Sequence, residues 1–248
     1  MSFKLFPSSQ ERIVCIAIIF FCAGMVVGLL PGLDIKTIAG SVATLIAAFA
    51  GAYFAYKFNA DREGQRKKEI DLASANRAIF TLIRAHNHVA RFNKQFIQPH
   101  KDSQCSYVTI RPLLGNLNPD LKLDYDSISF LIVERKVEIL TELTEFEELL
   151  TTLIEVVKKR NEIYLDTVEP AMEQAGFVHG GSVTLDKIDK VLGDRTSHTM
   201  KSLTLDLIDT VQCGQDKSEQ LIIKLHGIMV EIFPGENVIK MKNIHRVE

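Results

Sequence analysis

Residues 37–56, TIAGSVATLIAAFAGAYFAY, form a run of twenty residues without a charged side chain. A helix needs roughly 20 predominantly apolar residues to cross the ~30 Å hydrocarbon core of a bilayer. The run therefore predicts a transmembrane helix over residues 37–56. A buried helix of a soluble protein is the alternative, since the run is rich in alanine. Its length and the basic segment that follows it favour the membrane.

A second uncharged run precedes the first, IVCIAIIFFCAGMVVGLL over residues 13–30, and its apolar character continues to residue 33. Only a short Pro-Gly-containing stretch separates it from the next span, so the two spans should form an antiparallel hairpin. A cleaved signal peptide is the alternative, with Lys4 and Arg12 as its basic region. The second span and the lack of a small-residue cleavage site disfavour it.

Basic residues at the ends of the two spans predict how the hairpin is oriented. Lysine and arginine are retained on the cytoplasmic side, and here they flank the hairpin on its outer sides, whereas the loop between the spans has Lys36 alone. Both termini are therefore expected in the cytoplasm. The expected layout is a cytoplasmic N-terminus (1–12), spans at 13–33 and 37–56, and a cytoplasmic helical domain (57–248). The determinants after the second span are Lys57, Arg62, Arg66, Lys67 and Lys68.

Small residues recur at every fourth position of the second span, and the first span has a Gly-x-x-x-Gly pair. Small side chains let helix backbones approach closely, which is how helices associate in lipid. Two interpretations remain open: the rows pack the two helices of one hairpin, or they also join protomers into a homo-oligomer. The residues concerned are Gly24, Gly28, Ala39, Ala43, Ala47, Gly51 and Ala55.

Length, charge and cysteine usage limit the function classes. The chain has 248 residues and a formal net charge of -2, so it has room for one anchor and one domain, and no basic excess calls for direct DNA binding. The four cysteines have no paired spacing, which indicates structural thiols and not a disulfide framework or a zinc site. No metal and no cofactor are expected.

Three long helical patterns predict an all-α domain after the spans. The first continues from the basic segment to Phe96, with an apolar stripe that Pro99 ends. The second has apolar residues from Ile139 to Val168 at spacings of three or four, and the third runs from Met200 to residue 232. The polar residues 212–216 interrupt the third pattern and predict a kink or a polar window. A bundle of long helices is the economical arrangement.

Polar residues within these stripes are the candidate site residues. His86 and Asn93 lie in the first stripe, where hydrogen-bonded core residues are expected. In the second, the sequence around Arg160 and Asn161 breaks the apolar rhythm, and Asn161 falls at a stripe position. For Arg160 and Asn161 the two interpretations are a register-setting polar position in the bundle and a functional feature. For His86 and Asn93 a functional pair is the alternative to hydrogen-bonded core residues.

A search for catalytic patterns finds none that fits. The acidic cluster at residues 142–148 has no histidine beside it, as an inward-facing di-iron site would require. The Gly180-Gly181 pair has no following lysine, so it does not form a phosphate-binding loop. Arg84 with His88, and Arg195 with His198, lack the spacing of HEPN-type ribonucleases. We therefore expect no catalytic residues and no enzyme, with a degenerate helical nuclease as the remaining enzymatic alternative.

The chain combines two N-terminal spans, a second span ending GAYFAYKFN (51–59), the helix SISFLIVERKVEILTELTEFEELLTTLIEVVKKRNEIY (127–164) and an FPG near the end (233–235). In this combination it resembles the two-transmembrane membrane proteins of bacterial anti-phage systems, in particular the membrane effectors encoded beside retron reverse transcriptases. The resemblance covers most of the chain in architecture and carries no catalytic residues.

The resemblance implies a bacterial inner-membrane protein that damages the membrane when infection is sensed, which causes abortive infection. Its implied partners are the lipid bilayer, further copies of itself, and a reverse transcriptase–RNA complex or another inhibitor encoded nearby. A membrane-tethered helical scaffold or sensor that binds a cytoplasmic partner is the alternative.

The charge pattern around the spans yields a direct test of topology. Seven basic residues flank the hairpin and one lies in its loop, so a reporter enzyme fused after Glu248 should be active in the cytoplasm. Activity of a periplasm-specific reporter at the same position would contradict the orientation.

Overall fold

The structure of the chain, a computed structural model, describes residue 24 and residues 35–112, 122–177 and 184–241. These residues contain helices, turns and coil but no strand, which confirms the all-α class. The chain divides into two compact units, residues 1–68 and 69–248. The first predicted span lies outside the described residues except for Gly24, which is helical.

The described residues form six α-helices and two π-helical turns. A π-helical turn follows α1 at Asn93–Ile97, and a second follows α4 at Tyr164–Val168. The α-helices are α1 (Ile35–Phe92), α2 (Ser106–Thr109), α3 (Phe130–Val133), α4 (Val137–Ile163), α5 (Glu169–Gln174) and α6 (Leu185–Ile232).

One helix among the described residues is long and apolar enough to cross a membrane. It is the helical stretch Gly40–Ile97, whose most apolar window has a mean hydropathy of 1.3 and contains no buried residue. Length and composition support the second predicted span at this level. The other helix of the predicted hairpin belongs to residues that the structure does not describe.

The three long helices of the second unit pack around one core, with α6 antiparallel to the other two. Along α1, Asn76 bonds to the backbone at residue 237, and His86 lies 2.9 Å from Ser218. Along α4, Lys136 meets Glu231, whereas residue 160 meets residue 204. In these pairs the residue number on α6 falls as the number on α1 or α4 rises. Both helices therefore run antiparallel to α6, and α1 and α4 run parallel to each other. The predicted bundle of three long helices is confirmed within the described residues.

The predicted apolar stripe of the second pattern is buried along its full length, from Ile139 to Val157 in this core and at Tyr164 and Val168 in a second, smaller hydrophobic cluster. Apolar residues at steps of three and four fall on one side of a helix, and each member of this stripe is buried: Ile139, Leu143, Phe146, Leu150, Leu153, Val157, Tyr164 and Val168.

The stripe of α1 departs from the prediction at its C-terminal end. The pattern predicts that Phe96 faces the core, but its side chain is exposed, and Phe92 and Ile97 are buried in its place. The π-helical turn explains the difference, because a π-turn inserts one residue relative to α-helical spacing and rotates the residues that follow.

The third pattern also differs in the position of its break. The helix α6 continues through residues 212–216, so the predicted kink is wrong there and the polar-window alternative holds. The break lies at Gly193, whose φ of 73° and ψ of 156° are not helical. A positive φ is readily adopted by glycine because it has no Cβ.

Gly214 sits where α6 approaches α4 most closely among the described glycines. A Cβ on this residue would lie 3.0 Å from Leu149 Cδ2 and 3.7 Å from Val89 Cγ1. By contrast, a Cβ on Gly227, in the same helix, would meet nothing within 4 Å. Gly214 therefore lies where the packing of the bundle leaves no room for a larger side chain, whereas Gly227 lies at an exposed helix position.

The same substitution at these two glycines should have opposite effects on stability. Gly214→Leu overfills the core and should lower the free energy of unfolding by about 1–3 kcal/mol. Gly227→Leu should raise it by up to about 1 kcal/mol, because leucine favours helix more than glycine does. Thermal unfolding of the full chain in detergent, followed by circular dichroism, gives both melting temperatures. If the two variants shifted the melting temperature equally and in the same direction, the packing described for Gly214 would be contradicted.

Candidate functional site

The first candidate site is the apolar part of α1, and its side chains are turned outward all round the helix. No residue from Gly40 to Ile70 is buried, and Phe54 is 67% exposed. A helix that is apolar on every side needs an apolar environment on every side, which is typical of a membrane span. This segment, residues 40–56, is called the apolar segment below.

Hydrogen bonding within the apolar segment suits a lipid environment. Thr44 donates its hydroxyl hydrogen to the Gly40 carbonyl at 2.9 Å, so this polar group is satisfied inside its own helix. Unpaired polar groups are costly in hydrocarbon. Near the C-terminal end of the segment the rings of Tyr53 and Phe54 meet edge to face, with centroids 5.9 Å apart. Tyrosine is common at the membrane–water boundary.

The row of small residues lies on one side of the apolar segment. Members four residues apart share a helix face, and the exposed members are Ala43, Ala47, Gly51 and Ala55. A Cβ on Gly51 would meet nothing within 4 Å, so this face is open to a second helix. The side chain of Ala39 and the whole of Gly28 lie outside the description. Gly24 is helical, and a Cβ built on it would have no neighbour within 4 Å.

The predicted topology determinants continue on the same helix and are exposed. All five are exposed on the part of α1 that follows the apolar segment: Lys57, Arg62, Arg66, Lys67 and Lys68. Acidic residues are interspersed at Asp61, Glu63 and Glu69. The local excess of basic charge is what retention on the cytoplasmic side requires.

The second candidate site is Arg160, the only arginine among the buried residues of the described ranges. Its side chain is 1% exposed, and its Nε donates to Thr204 Oγ1 at 3.0 Å. A terminal nitrogen of its guanidinium donates to the carbonyl oxygens of Tyr107, at 3.1 Å, and of Ile110. The described hydrogen-bond partners of Arg160 therefore include no carboxylate.

The carbonyl partners explain how a buried arginine is accommodated without an acid. They belong to the C-terminal end of α2, where carbonyls have no partner within the helix and the helix dipole is negative. Tyr164 donates its hydroxyl to the neighbouring Val108 carbonyl at 3.1 Å. Burial lowers the pKa of Arg160 to about 10, which leaves it charged at neutral pH. Arg160 and Tyr164 thus fasten the 105–110 connector to the bundle.

Asn161, which the sequence placed at a stripe position, is half-buried beside Arg160. Sequence reasoning singled out the correct pair of residues, but the buried member is Arg160. Arginine has a long apolar stem, so a stripe position can carry it when its charged head finds acceptors. The acceptors here come from residues 107 and 110, and no helical pattern marked that segment.

The third polar group joins the two sides of the break at Gly193. Asp189 accepts hydrogen bonds from Tyr107 Oη at 2.6 Å, from Ser197 Oγ, and from Lys201 Nζ at 2.7 Å. Desolvation alone would raise the pKa of Asp189, but these hydrogen bonds outweigh it and hold the pKa at about 2. Its stabilising effect is present at neutral pH and fades as the pH falls from about 4 towards 2. The contacts of Asp189 with Ser197 and Lys201 connect the residues before Gly193 to those after it.

A buried polar ladder joins α1 to α6 at the positions of His86 and Asn93. Ser218 donates its one hydroxyl hydrogen to the Gln215 carbonyl at 2.8 Å. The 2.9 Å contact with His86 Nδ1 therefore has the histidine nitrogen as the donor. Asn93 Nδ2 donates to Gln215 Oε1 at 2.7 Å. The prediction of hydrogen-bonded core residues is confirmed for both.

The acidic residues at positions 142–148 of α4 have two structural roles: two of them form salt bridges with α6, and one binds the segment that precedes α3. Glu142 pairs with Lys224 and Glu145 pairs with Lys217 at 2.7 Å. Glu147 accepts hydrogen bonds from the Leu123 backbone and from the Tyr125 hydroxyl. Among the described residues no three of His, Cys, Asp or Glu are grouped so that they could hold a metal ion.

Sequence analysis missed the connector between α1 and α3 as a structural element. Tyr107 and Ile110 are each 1% exposed; Tyr107 belongs to the smaller hydrophobic cluster with Tyr164 and Val168, and Ile110 belongs to the larger core. The available signal was three apolar residues, Tyr107, Val108 and Ile110, within a polar, proline-containing stretch. A periodicity search cannot detect a segment of a single turn.

Comparisons with family models, with curated proteins and with solved structures give no match. The roles of these residues therefore rest on their chemistry and geometry in this chain.

The Arg160 contacts make a specific stability prediction. Arg160→Met keeps most of the stem but leaves two buried carbonyls without donors, at about 1–3 kcal/mol each, so the free energy of unfolding should fall by roughly 2–6 kcal/mol. Lys159→Met is the matched control, since Lys159 is exposed with one loose ion pair, and should shift stability by less than about 0.5 kcal/mol. Denaturant unfolding measures both, and an unchanged Arg160→Met would contradict the assigned contacts.

Proposed function

We propose that this protein is a bacterial inner-membrane effector that acts on the lipid bilayer by self-association of its apolar helices. The observation that carries the proposal is the apolar segment, whose small-residue row is exposed, with open space at Gly51. In lipid, such rows bring helix backbones together. The anti-phage role and abortive infection are taken from the resemblance to retron-associated membrane effectors.

In this proposal the apolar segment is the second helix of a two-span hairpin, preceded by a span at residues 13–33. The supporting feature is the uncharged run of that first stretch together with the basic flanks on both outer sides of the hairpin. Both termini then face the cytoplasm. The second unit, residues 69–248, would be the cytoplasmic domain.

Oligomerisation is required by the chemistry of the apolar segment. The segment has no charged residue between positions 37 and 56, so one helix or one hairpin offers no polar path for ions. Several copies must assemble before the bilayer is perturbed. The contact would use the face that carries Ala43, Ala47 and Gly51.

The cytoplasmic bundle has the role of a restraint in this proposal. It would hold the hairpins in a harmless arrangement while an inhibitor is bound, for example a reverse transcriptase–RNA complex encoded nearby. A trigger shifts the balance between two states only by binding them with different affinity. The proposal includes neither DNA binding, nor a cofactor, nor a catalytic step.

A membrane-tethered scaffold is the second candidate, and one observation favours it. The described bundle is closed by hydrogen-bonded polar groups, with Arg160, Asp189 and His86 all paired. A rigid, anchored bundle is suited to displaying a binding surface without harm to the bilayer. The two candidates differ in whether the membrane potential collapses.

Membrane potential in cells that express the chain separates these candidates. Unrestrained expression should depolarise the inner membrane, as read with a voltage-sensitive dye. Gly51→Leu should relieve the depolarisation while the protein remains in the membrane fraction, because leucine keeps the helices apart. Gly64→Leu is the matched control: Gly64 is also exposed, has no neighbour within 4 Å, and lies outside the apolar segment.

Equal toxicity of the Gly51→Leu and wild-type forms would remove the small-residue row from the mechanism. Full polarisation, both on overexpression of the wild type and during phage challenge in its native gene context, would overturn the effector proposal in favour of the scaffold.

A further inference from the structure

Within residues 69–248 the long helices form two layers, a pair made of α1 and α6, and α4. The pair is joined by the contacts of His86 with Ser218 and of Asn93 with Gln215. α4 packs against one side of the pair, where two lysines of α6 form salt bridges with its acidic residues. On the side away from α4, the side chains of both helices are exposed. This side of α1 and α6 is called the outer face.

The α1 part of the outer face is a row of arginines. Arg77, Arg84 and Arg91 follow one another at intervals of seven residues, close to two helical turns, so they share one side of the helix. All three are exposed, and none forms a salt bridge with another described residue. From Leu72 to Lys101 the chain contains no aspartate or glutamate. The row is therefore a basic surface that α1 itself does not neutralise.

The α6 part of the outer face has acidic side chains followed by apolar ones. Asp209, Asp216, Ile223 and Val230 recur at the same seven-residue interval, and all four are exposed. Neither aspartate forms a salt bridge with another described residue. On α1 the exposed ring of Phe80 lies between the first two arginines of the row. Each helix of the outer face thus has a charged part and an apolar part.

The contacts between α1 and α6 show which positions of the two rows lie level in the antiparallel pair. With the same rise per residue on both helices, Arg91 lies level with Asp216 to within about one turn. Phe80 lies level with the stretch between Ile223 and Val230. Basic side chains are therefore level with acidic ones, and apolar side chains are level with apolar ones.

This order matches the outer face to a second copy of the same chain. A two-fold axis parallel to the helices would place α1 of each copy on α6 of the other, and level positions would stay level. Arg91 of one copy then meets Asp216 of the other copy, and Phe80 meets Ile223 and Val230. A polyanion such as a nucleic acid fits less well, because the aspartates of α6 lie beside the arginines and repel phosphates.

The outer face has about the size that a specific dimer needs. Twenty residues of two neighbouring helices cover ~30 Å by ~20 Å, or roughly 600 Å² in projection. A standard interface uses about 800 Å² of accessible surface on each partner. Accessible surface exceeds its projection because side chains protrude, so the two areas are comparable.

We infer that the outer face binds a second copy of this chain in a two-fold symmetric dimer, with Arg91 against Asp216 and Phe80 against Ile223 and Val230. The dimer deepens the self-association of the proposed function, on which it rests, and locates a contact between copies within residues 69–248. It involves no contact of the bundle with lipid.

Crosslinking between two differently tagged full-length copies in cells tests this arrangement. One copy carries Arg84→Cys and the other carries Ile223→Cys, which lie level with each other. A short bismaleimide should give a product that contains both tags. The matched control replaces Ile223→Cys by Glu148→Cys, at an exposed position of α4, and should give little product. In all copies the native cysteines are replaced by alanine: Cys15, Cys22, Cys105 and Cys213.

Charge reversal tests the contact of Arg91 with Asp216. Arg91→Asp, added to the Arg84→Cys copy, should lower the crosslinked yield at least about threefold, because like charges that face each other across an interface are unfavourable. Asp216→Arg, added to the Ile223→Cys copy, should restore the yield. Such a rescue acts between chains, so a general disturbance of α1 would not produce it.

The other outcomes overturn the inference or leave it standing without the proposed function. Equal products with Ile223→Cys and Glu148→Cys, or a yield that Arg91→Asp does not change, overturn the dimer. If Arg84→Cys is protected from maleimide but not crosslinked, a different partner covers the outer face and the dimer is wrong. Depolarisation by the wild type without the crosslink overturns the dimer alone, whereas the specific crosslink without depolarisation overturns the effector proposal alone.

Discussion

The α1 helix carries two different surfaces on one continuous backbone, and the other described features depend on this change. From residue 37 to Tyr56 the helix has no charged side chain on any side, whereas from Leu72 onward it is apolar on one side only. Backbone hydrogen bonds within the helix are satisfied in either environment. The side chains alone therefore decide where the helix is surrounded by apolar material and where it joins a protein core.

The bundle uses buried polar groups at places where apolar packing could not define a single arrangement. Long helices with apolar stripes can slide by a turn and still bury similar area, so stripes specify register weakly. His86 with Ser218, and Arg160 with Thr204, each pair at one register only. An offset of one turn would leave these groups buried and unpaired, which costs more than the lost apolar contact.

The sequence predicted long helices and their core faces because periodicity is a local property of the chain. Every member of the Ile139–Val168 stripe is buried, and His86 and Asn93 are paired as expected. The structure differs from the sequence prediction where a single turn of the chain changes the direction of the residues that follow. The π-helical turn after Phe92 rotates Phe96 outward, and Gly193 bends α6 where a polar segment suggested a bend near Gly214. Neither the π-helical turn nor the bend at Gly193 changes the spacing of apolar residues in the sequence, so a search for helical periodicity does not detect them.

The candidate site was only partly accessible to sequence reasoning for a different reason. Arg160 was singled out, but its acceptors at residues 107 and 110 lie some fifty positions earlier, in a connector without helical periodicity. The structural role of a buried arginine depends on its hydrogen-bond acceptors. With a carboxylate it would form an ion pair, whereas with carbonyl oxygens it binds the end of a short helix. Because the connector is fastened in this way to both α4 and, through Tyr107 and Asp189, to the start of α6, the far end of the bundle is cross-linked by polar contacts. Internal repacking of this end would have to break several buried hydrogen bonds at once, so the polar contacts favour a single arrangement of the connector and the helices.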